Sequence, residues 1–433
     1  MADHYFVGDV DNSWSNGSNW SSSSGGAGGA GVPGSGDRAI FDTNSPDCSM
    51  DINSSLYHLE LRSDFTGKVD CVDRYVRAEY DIHVDGGELD LGTSQNHWFK
   101  RNLTRSGSGV ITPGTSKMTV NCNDPANVGY LNMSGTFTLH RLDFSIGTSG
   151  TCYYQVNISG TITINDWLNV ERWGFYQRIN IVGGRFDVHG NIYNFRWSVD
   201  RTIYMSTDVY VVGTGDQSIT WNCGGGDLRF QKPSGTATIA NIFKIGNNAA
   251  NGTVNLEFQG TEDFLTNGVR FEFVGGANDN LNLLGTSPVF DSIDWRLNQD
   301  SGSGHNYINL GGKTWKCQGY AFLMPSGVGG WDGKINNGTL EVGGSLRVNV
   351  DGNSSRARGS AVVKMVGSGN SGLYCSNNTT TLYWNHLRIA KDSGARVTLQ
   401  DNIGNTGKNY YVDSGEFDLN GHNIGASNLI VYD

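Results

Sequence analysis

The sequence predicts an all-β chain, a right-handed parallel β-helix (β-solenoid) with an N-terminal cap, and three observations carry that prediction. Turn formers dominate: 61 Gly and 44 Asn stand among 433 residues, with aromatic residues at 11% and charged residues at only 17%. Gly and Asn reach positive φ at low cost, and aromatics at this level supply a core that disordered chains lack. Secondly, no window keeps a 3.6-residue apolar period, while short runs alternate polar and apolar residues between glycines. Thirdly, two unlike residue types share one spacing. Gly87, Gly109, Gly135, Gly160 and Gly184 mark successive coils, and Gly235 follows after one unmarked coil. Trp173, Trp197 and Trp221 are evenly spaced at the same step. A period common to Gly and Trp is what stacked, equivalent coils produce.

Residues 1–45 differ in texture from the rest, being Gly/Ser-rich with scattered aromatics, and are expected to form the cap. A stack of coils exposes an unpaired strand edge that needs covering, and Trp14 and Trp20 are expected to pack over the first coil. Residues 46–433 are expected to form the solenoid, in coils of about 24 residues that become less regular after residue 250. One strand motif recurs: Gly86-Gly87-Glu88-Leu89-Asp90-Leu91-Gly92, Gly183-Gly184-Arg185-Phe186-Asp187-Val188, Asn337-Gly338-Thr339-Leu340-Glu341-Val342 and Gly415-Glu416-Phe417-Asp418-Leu419. Every second residue of such a strand faces inward. His140, Asn165 and His189 share one offset after their glycines, where a polar turn ladder would lie. The seven cysteines, Cys48, Cys71, Cys122, Cys152, Cys223, Cys317 and Cys375, are scattered and never in CxxC spacing, so they read as small core residues.

Charge and pattern exclude several partners. The net charge of -11 is spread along the chain, with no basic stripe for phosphates, which argues against nucleic acid. No apolar span or basic amphipathic helix calls for membrane insertion. The opening run MADHYFVGDV lacks a basic and an apolar region, so no secretory signal is expected from it.

The N-terminal run Trp14-Ser15-Asn16-Gly17-Ser18-Asn19-Trp20-Ser21, then Val32-Pro33-Gly34-Ser35-Gly36-Asp37-Arg38-Ala39-Ile40-Phe41-Asp42, then Phe65-Thr66-Gly67-Lys68-Val69, resembles the opening of repetitive β-helical surface proteins. These are autotransporter-type passenger segments and related phage virion proteins. The C-terminal run Leu387–Leu399 with Gly415–Gly421 is similar to repeats of the same group. The resemblance implies a structural or adhesive component of a bacteriophage virion: a tail appendage, fibre or decoration protein. Lack of an export signal and of a terminal membrane barrel departs from autotransporters and favours the virion. A bacterial extracellular adhesin or filament subunit at the cell surface is a second expectation, and a polysaccharide-binding or polysaccharide-degrading β-helix protein a third. The implied partners are other virion or surface-assembly subunits, host surface glycans and further copies of the chain in a homo-oligomer.

The candidate chemistry is sparse. Trp173, Trp197 and Trp221 first suggest a platform for sugar rings, but Trp197 shares its strand face with Phe195 and Val199, and Trp221 shares its own with Ile219 and Cys223. Apolar companions make this Trp ladder core. The opposite face carries Arg172, Tyr176, Arg178 and Arg196, with Lys100 and Arg101 earlier, and reads either as a shallow strip for an anionic glycan or partner, or as an ordinary solvated face. No local carboxylate pair suits glycoside hydrolysis, so no catalytic residue is assigned. Asp9, Asp11 and Asn12 mimic a calcium loop, but Trp14 stands where Gly is required. The nine His show no ligand spacing, and no metal or cofactor is expected.

Overall fold

The computed structural model describes the chain except residues 123–128, 147–151, 173–176, 196–201, 224–226, 240–241, 246–252, 261–262, 266–267, 276–279, 298–305, 325–331, 350–355, 377–380, 384–385, 404–408, 426–427 and 433. It divides into two compact units, Met1–Gly215 and Asp216–Asp433. Among the described residues each is a β-solenoid of almost wholly parallel strands, with one 3-10 turn at Gly17–Asn19 and no α-helix.

In the first unit, Asp3–Phe6 pairs antiparallel with Trp20–Ser21 and parallel with Arg38–Phe41, which pairs in turn with Ser54–Leu61. The strand Trp20–Ser21 is only two residues long, which leaves little edge for other chains to extend. Phe6, Trp14, Trp20 and Phe41 are all fully buried. Trp20 meets Trp14 at 4.8 Å and Phe6 at 5.1 Å edge to face, and Phe41 reaches Phe65 at 5.5 Å, which carries the aromatic cluster into the coils. Both tryptophans therefore pack as expected.

Beyond this cluster the strands Ser54–Leu61, Val76–Val84, Asn102–Arg105, Gly129–Ser134, Cys152–Ser159 and Gln177–Val188 stack in parallel register. Cys48–Ser49, Lys68–Asp70, Glu88–Asp90 and Val110–Thr112 build a second, four-stranded face. Leu131 faces Val156 and Val156 faces Ile181, so these successive coils are equal in length. Leu103, Met133 and Ile158 form one buried inward column, and their neighbours Asn102, Asn132 and Asn157 point outward.

The recurrent glycine has a steric cause. Gly160 adopts φ 101°, and a Cβ there would lie 2.4 Å from the carbonyl oxygen of Gly135, itself at φ 105°. Each turn closes directly against the one before it, and only a residue without Cβ permits both that φ and that approach. The polar turn ladder is not kept: Leu139, Ile164 and Val188 pair, but the register shifts between Leu139 and Arg141, and His140 and Asn165 lie within the strands Phe137–Ile146 and Thr161–Arg172.

The second unit has two long parallel faces. One contains Thr253–Gly260, Asn280–Gly285, Asn306–Cys317 and Asp332–Val342; the other contains Arg270–Gly275, Ser292–Leu297, Ala321–Met324 and Leu346–Asn349. Val254, Leu281, Ile308 and Ile335 form a buried, evenly spaced column. Further on the step shortens: Val363 faces Leu387, and Tyr410 faces Leu429 across a smaller interval still. Beyond residue 250 the step is therefore constant along that column, from Val254 to Ile335, and shortens only afterwards. Aromatic rings stack through the core, with Phe230 on Phe258 at 4.8 Å and Phe271 on Phe290 at 5.0 Å.

Cys48, Cys71, Cys317 and Cys375 are free and buried, and burial pushes the Cys317 and Cys375 thiols up to about 12. They act as compact core residues, in line with their scatter along the sequence. The buried Lys391 ammonium is satisfied by carbonyls of earlier coils, donating to Gly343 O at 2.8 Å and Val366 O at 2.7 Å.

Candidate binding faces

The predicted residues fall unevenly. Trp221 is 1% exposed, so it is core and not a platform for sugars. Trp173, Tyr176, Arg196 and Trp197 lie outside the described residues. Arg172 and Arg178 stand in described strands, opposite Ile146 and Tyr153, but their side chains also lie outside the described residues.

The cations nearby in the first unit are engaged internally. Lys100 pairs with Glu79 and sits 5.2 Å from the Trp98 ring, and the Arg101 guanidinium lies 4.8 Å over Tyr80. Arg141 stacks on Trp167 at 4.0 Å while its Nε donates to Asp166 at 2.6 Å. Cation–π contacts of this kind hold the outer side chains flat against the sheet. Asp9 and Asp11 are occupied similarly: Asp9 accepts from Gly28 N at 2.7 Å, and Asp11 from Asn19 Nδ2 at 2.6 Å and Ser13 N at 2.8 Å. The bond from the Ser13 amide and those from Asn19 and Asn16 hold the Asp11 carboxyl below its ordinary range.

What organises the outer surface is asparagine. In the first unit Asn157 Nδ2 donates to Asn132 Oδ1 at 2.9 Å, Asn132 Nδ2 to Asn102 Oδ1 at 2.7 Å, and Asn102 Nδ2 to Asp81 Oδ1 at 2.6 Å. In the second unit Asn282 Nδ2 donates to Asn255 Oδ1 at 2.9 Å, and Asn255 Nδ2 to Asp227 Oδ2 at 2.7 Å. Parallel pairing sets identical positions one above another, and a carboxamide is both donor and acceptor, so a column of them satisfies itself.

The second unit's column continues by register from Asn282 to Asn309 and Asn336. Two residues earlier on each strand, on the same face, lie Thr253, Asn280, Tyr307 and Lys334. Between the columns runs an open groove of about 320 Å³, lined by Thr253, Asn280, Asn282, Tyr307, Asn309 and Asn336, with Asn337 at its margin. Lys334 Nζ lies 5.1 Å from the Tyr307 ring. Asn280 Oδ1 is buried without a hydrogen-bond partner at the floor of this region. Amides around one aromatic ring suit a neutral, hydroxyl-rich ligand: hydroxyls bond the amides while an apolar sugar face rests on Tyr307.

The sequence contains a signal for this groove. Asn255, Asn282, Asn309 and Asn336 are evenly spaced along the chain, at a step slightly longer than that of the middle coils. The shorter mid-chain period, carried forward, passes over it. No protein-family model, curated protein or solved structure matches the chain.

Proposed function

We propose that the chain is a structural and adhesive component of a bacteriophage virion, a tail appendage, fibre or decoration protein, that contacts host surface glycans through the groove beside Tyr307. The observation that carries the adhesive reading is the run of carboxamides flanking one aromatic ring at the same height in successive coils. A solenoid suits this work, because each coil repeats the same outward positions and an extended polymer can lie along them. The virion reading rests on the resemblance of the run Trp14–Asp42 to phage β-helical proteins. Further copies of the chain and other virion subunits are the partners it implies.

Two measurements test the two halves. Host capsule and lipopolysaccharide oligosaccharides, titrated calorimetrically, should bind the wild-type chain, with Tyr307→Ala or Asn309→Ala weakening binding about tenfold, roughly 1.4 kcal/mol. Unchanged affinity in both variants removes the groove from the reading. Immunogold labelling should decorate purified particles; label on uninfected cells instead would make the chain a bacterial adhesin.

A further inference from the structure

His58, Asp81 and His83 meet on the outer side of two adjacent coils in the first unit. His58 belongs to Ser54–Leu61, Asp81 and His83 to Val76–Val84, and register sets His58 directly opposite Asp81. Strand alternation turns Asp81 and His83 to the same face. Asp81 Oδ2 stands 3.4 Å from His58 Nδ1 and 3.8 Å from His83 Nε2, and one donor atom from each residue lies within 4.8 Å of the others.

These separations are long for an imidazolium–carboxylate hydrogen bond, which closes to about 2.7–2.9 Å. They approach the ~3.4 Å edge of a tetrahedron built from ~2.1 Å metal–ligand bonds. Three further observations point to an ion. His58 and Asp81 are 8% and 6% exposed, so an ion between them would be largely shielded from water. The other carboxylate oxygen, Asp81 Oδ1, accepts from Asn102 Nδ2 at 2.6 Å, the kind of outer hydrogen bond that aims a ligating carboxylate. The two imidazoles cross edge to face at 80°, 4.8 Å apart, instead of stacking.

We propose that His58, Asp81 and His83 bind a divalent transition metal of the zinc class. Two imidazole nitrogens and one carboxylate oxygen suit zinc, cobalt or nickel; calcium and magnesium prefer all-oxygen sites. Glu60, opposite His83 in the register, is already paired with Arg38 at 2.5 Å and Arg62 at 3.1 Å, so the fourth position falls to solvent. The ion ties one coil to the next and is independent of the glycan groove. Linear spacing conceals the site because a whole coil of chain separates His58 from Asp81, while in space the two face each other across one strand pairing.

The test uses the full chain, stripped with chelator and titrated with Zn²⁺ alone. One ion should bind per chain, shifting the ring resonances of His58 and His83 while leaving those of His140 and His189 in place. His83→Gln, at a half-exposed position, should weaken binding at least tenfold, and Glu60→Gln should not. Absence of stoichiometric uptake, or equal affinity in wild type and His83→Gln, overturns the proposal. Should His83→Gln fail to fold, Co²⁺ added to the wild type decides: visible bands of a low-coordinate, imidazole-ligated ion uphold the site, and their absence sinks it.

Discussion

His97 makes the stability of the first unit depend on pH in a calculable way. It is fully buried, its Nδ1 accepts from Val76 N–H at 3.1 Å, and its Nε2–H donates to Leu91 O at 2.9 Å. Burial, aided by the neighbouring Arg77, pushes its pKa down from 6.5 to about 4. Protonation would also put a proton where Nδ1 now accepts the Val76 amide. The unfolded chain takes up this proton near 6.5 and the folded chain only near 4, so stability is complete above 6.5 and falls as pH drops toward 4. At ~1.4 kcal/mol per pKa unit, the loss is roughly 2 kcal/mol at pH 5 and about 3 kcal/mol once the folded form is also protonated. Solenoids need not unfold in two states, so a local probe is appropriate: hydrogen exchange at the Leu91 amide, which donates to Thr112 O at 2.9 Å independently of the ring, followed from pH 7.5 to 4.5. His97→Phe should lower stability at pH 7.5 by leaving Val76 N–H and Leu91 C=O unpaired, yet flatten the acid slope. If wild type and variant lose protection in parallel as pH falls, the assignment to His97 is wrong.

Other substitutions probe the stack. Gly160→Ala should cost roughly 3 kcal/mol, because positive φ and backbone contact both oppose a Cβ, while Gly394→Ala, at φ 82° with open space around it, should cost about 1 kcal/mol; thermal denaturation compares them. Asn132→Ala removes two ladder bonds and should cost about 1–2 kcal/mol by the same measurement. Trp315→Ala empties a fully buried site against Phe258 and should cost about 3–5 kcal/mol. A thiol reagent at pH 8 should leave Cys48, Cys71, Cys317 and Cys375 unlabelled until denaturant is added, since burial raises all four thiols.

Parts of this architecture are legible in the sequence because they repeat with little change. Gly135, Gly160 and Gly184 keep an almost constant step, and steric closure of turn on turn keeps them glycine. Apolar alternation likewise places Trp221 inside. The binding faces are harder to read, for two physical reasons. The step is set by the chain between strands, which varies without disturbing the pairing: the stretch from Asn102 to its partner Asn132 is longer than that from Asn132 to Asn157. A column that is continuous in space is therefore irregular along the chain. His58 and Asp81 show the second reason, since their contact exists only once two coils are stacked.

The asparagine columns also have a direction. Every amide nitrogen in their bonded runs points to the preceding coil, and each run ends on a carboxylate, Asp81 in the first unit and Asp227 in the second. A carboxylate has nothing to donate, so the amide resting on it must present its nitrogen, and that choice orients each amide above in turn. One acidic residue thus sets the sense of a whole row of dipoles, which reinforce one another through mutual polarisation. The outer surface is in this respect a one-way wire, with its negative terminal fixed by a single side chain. Replacing that terminal with an amide, as in Asp227→Asn, would free the row to run either way.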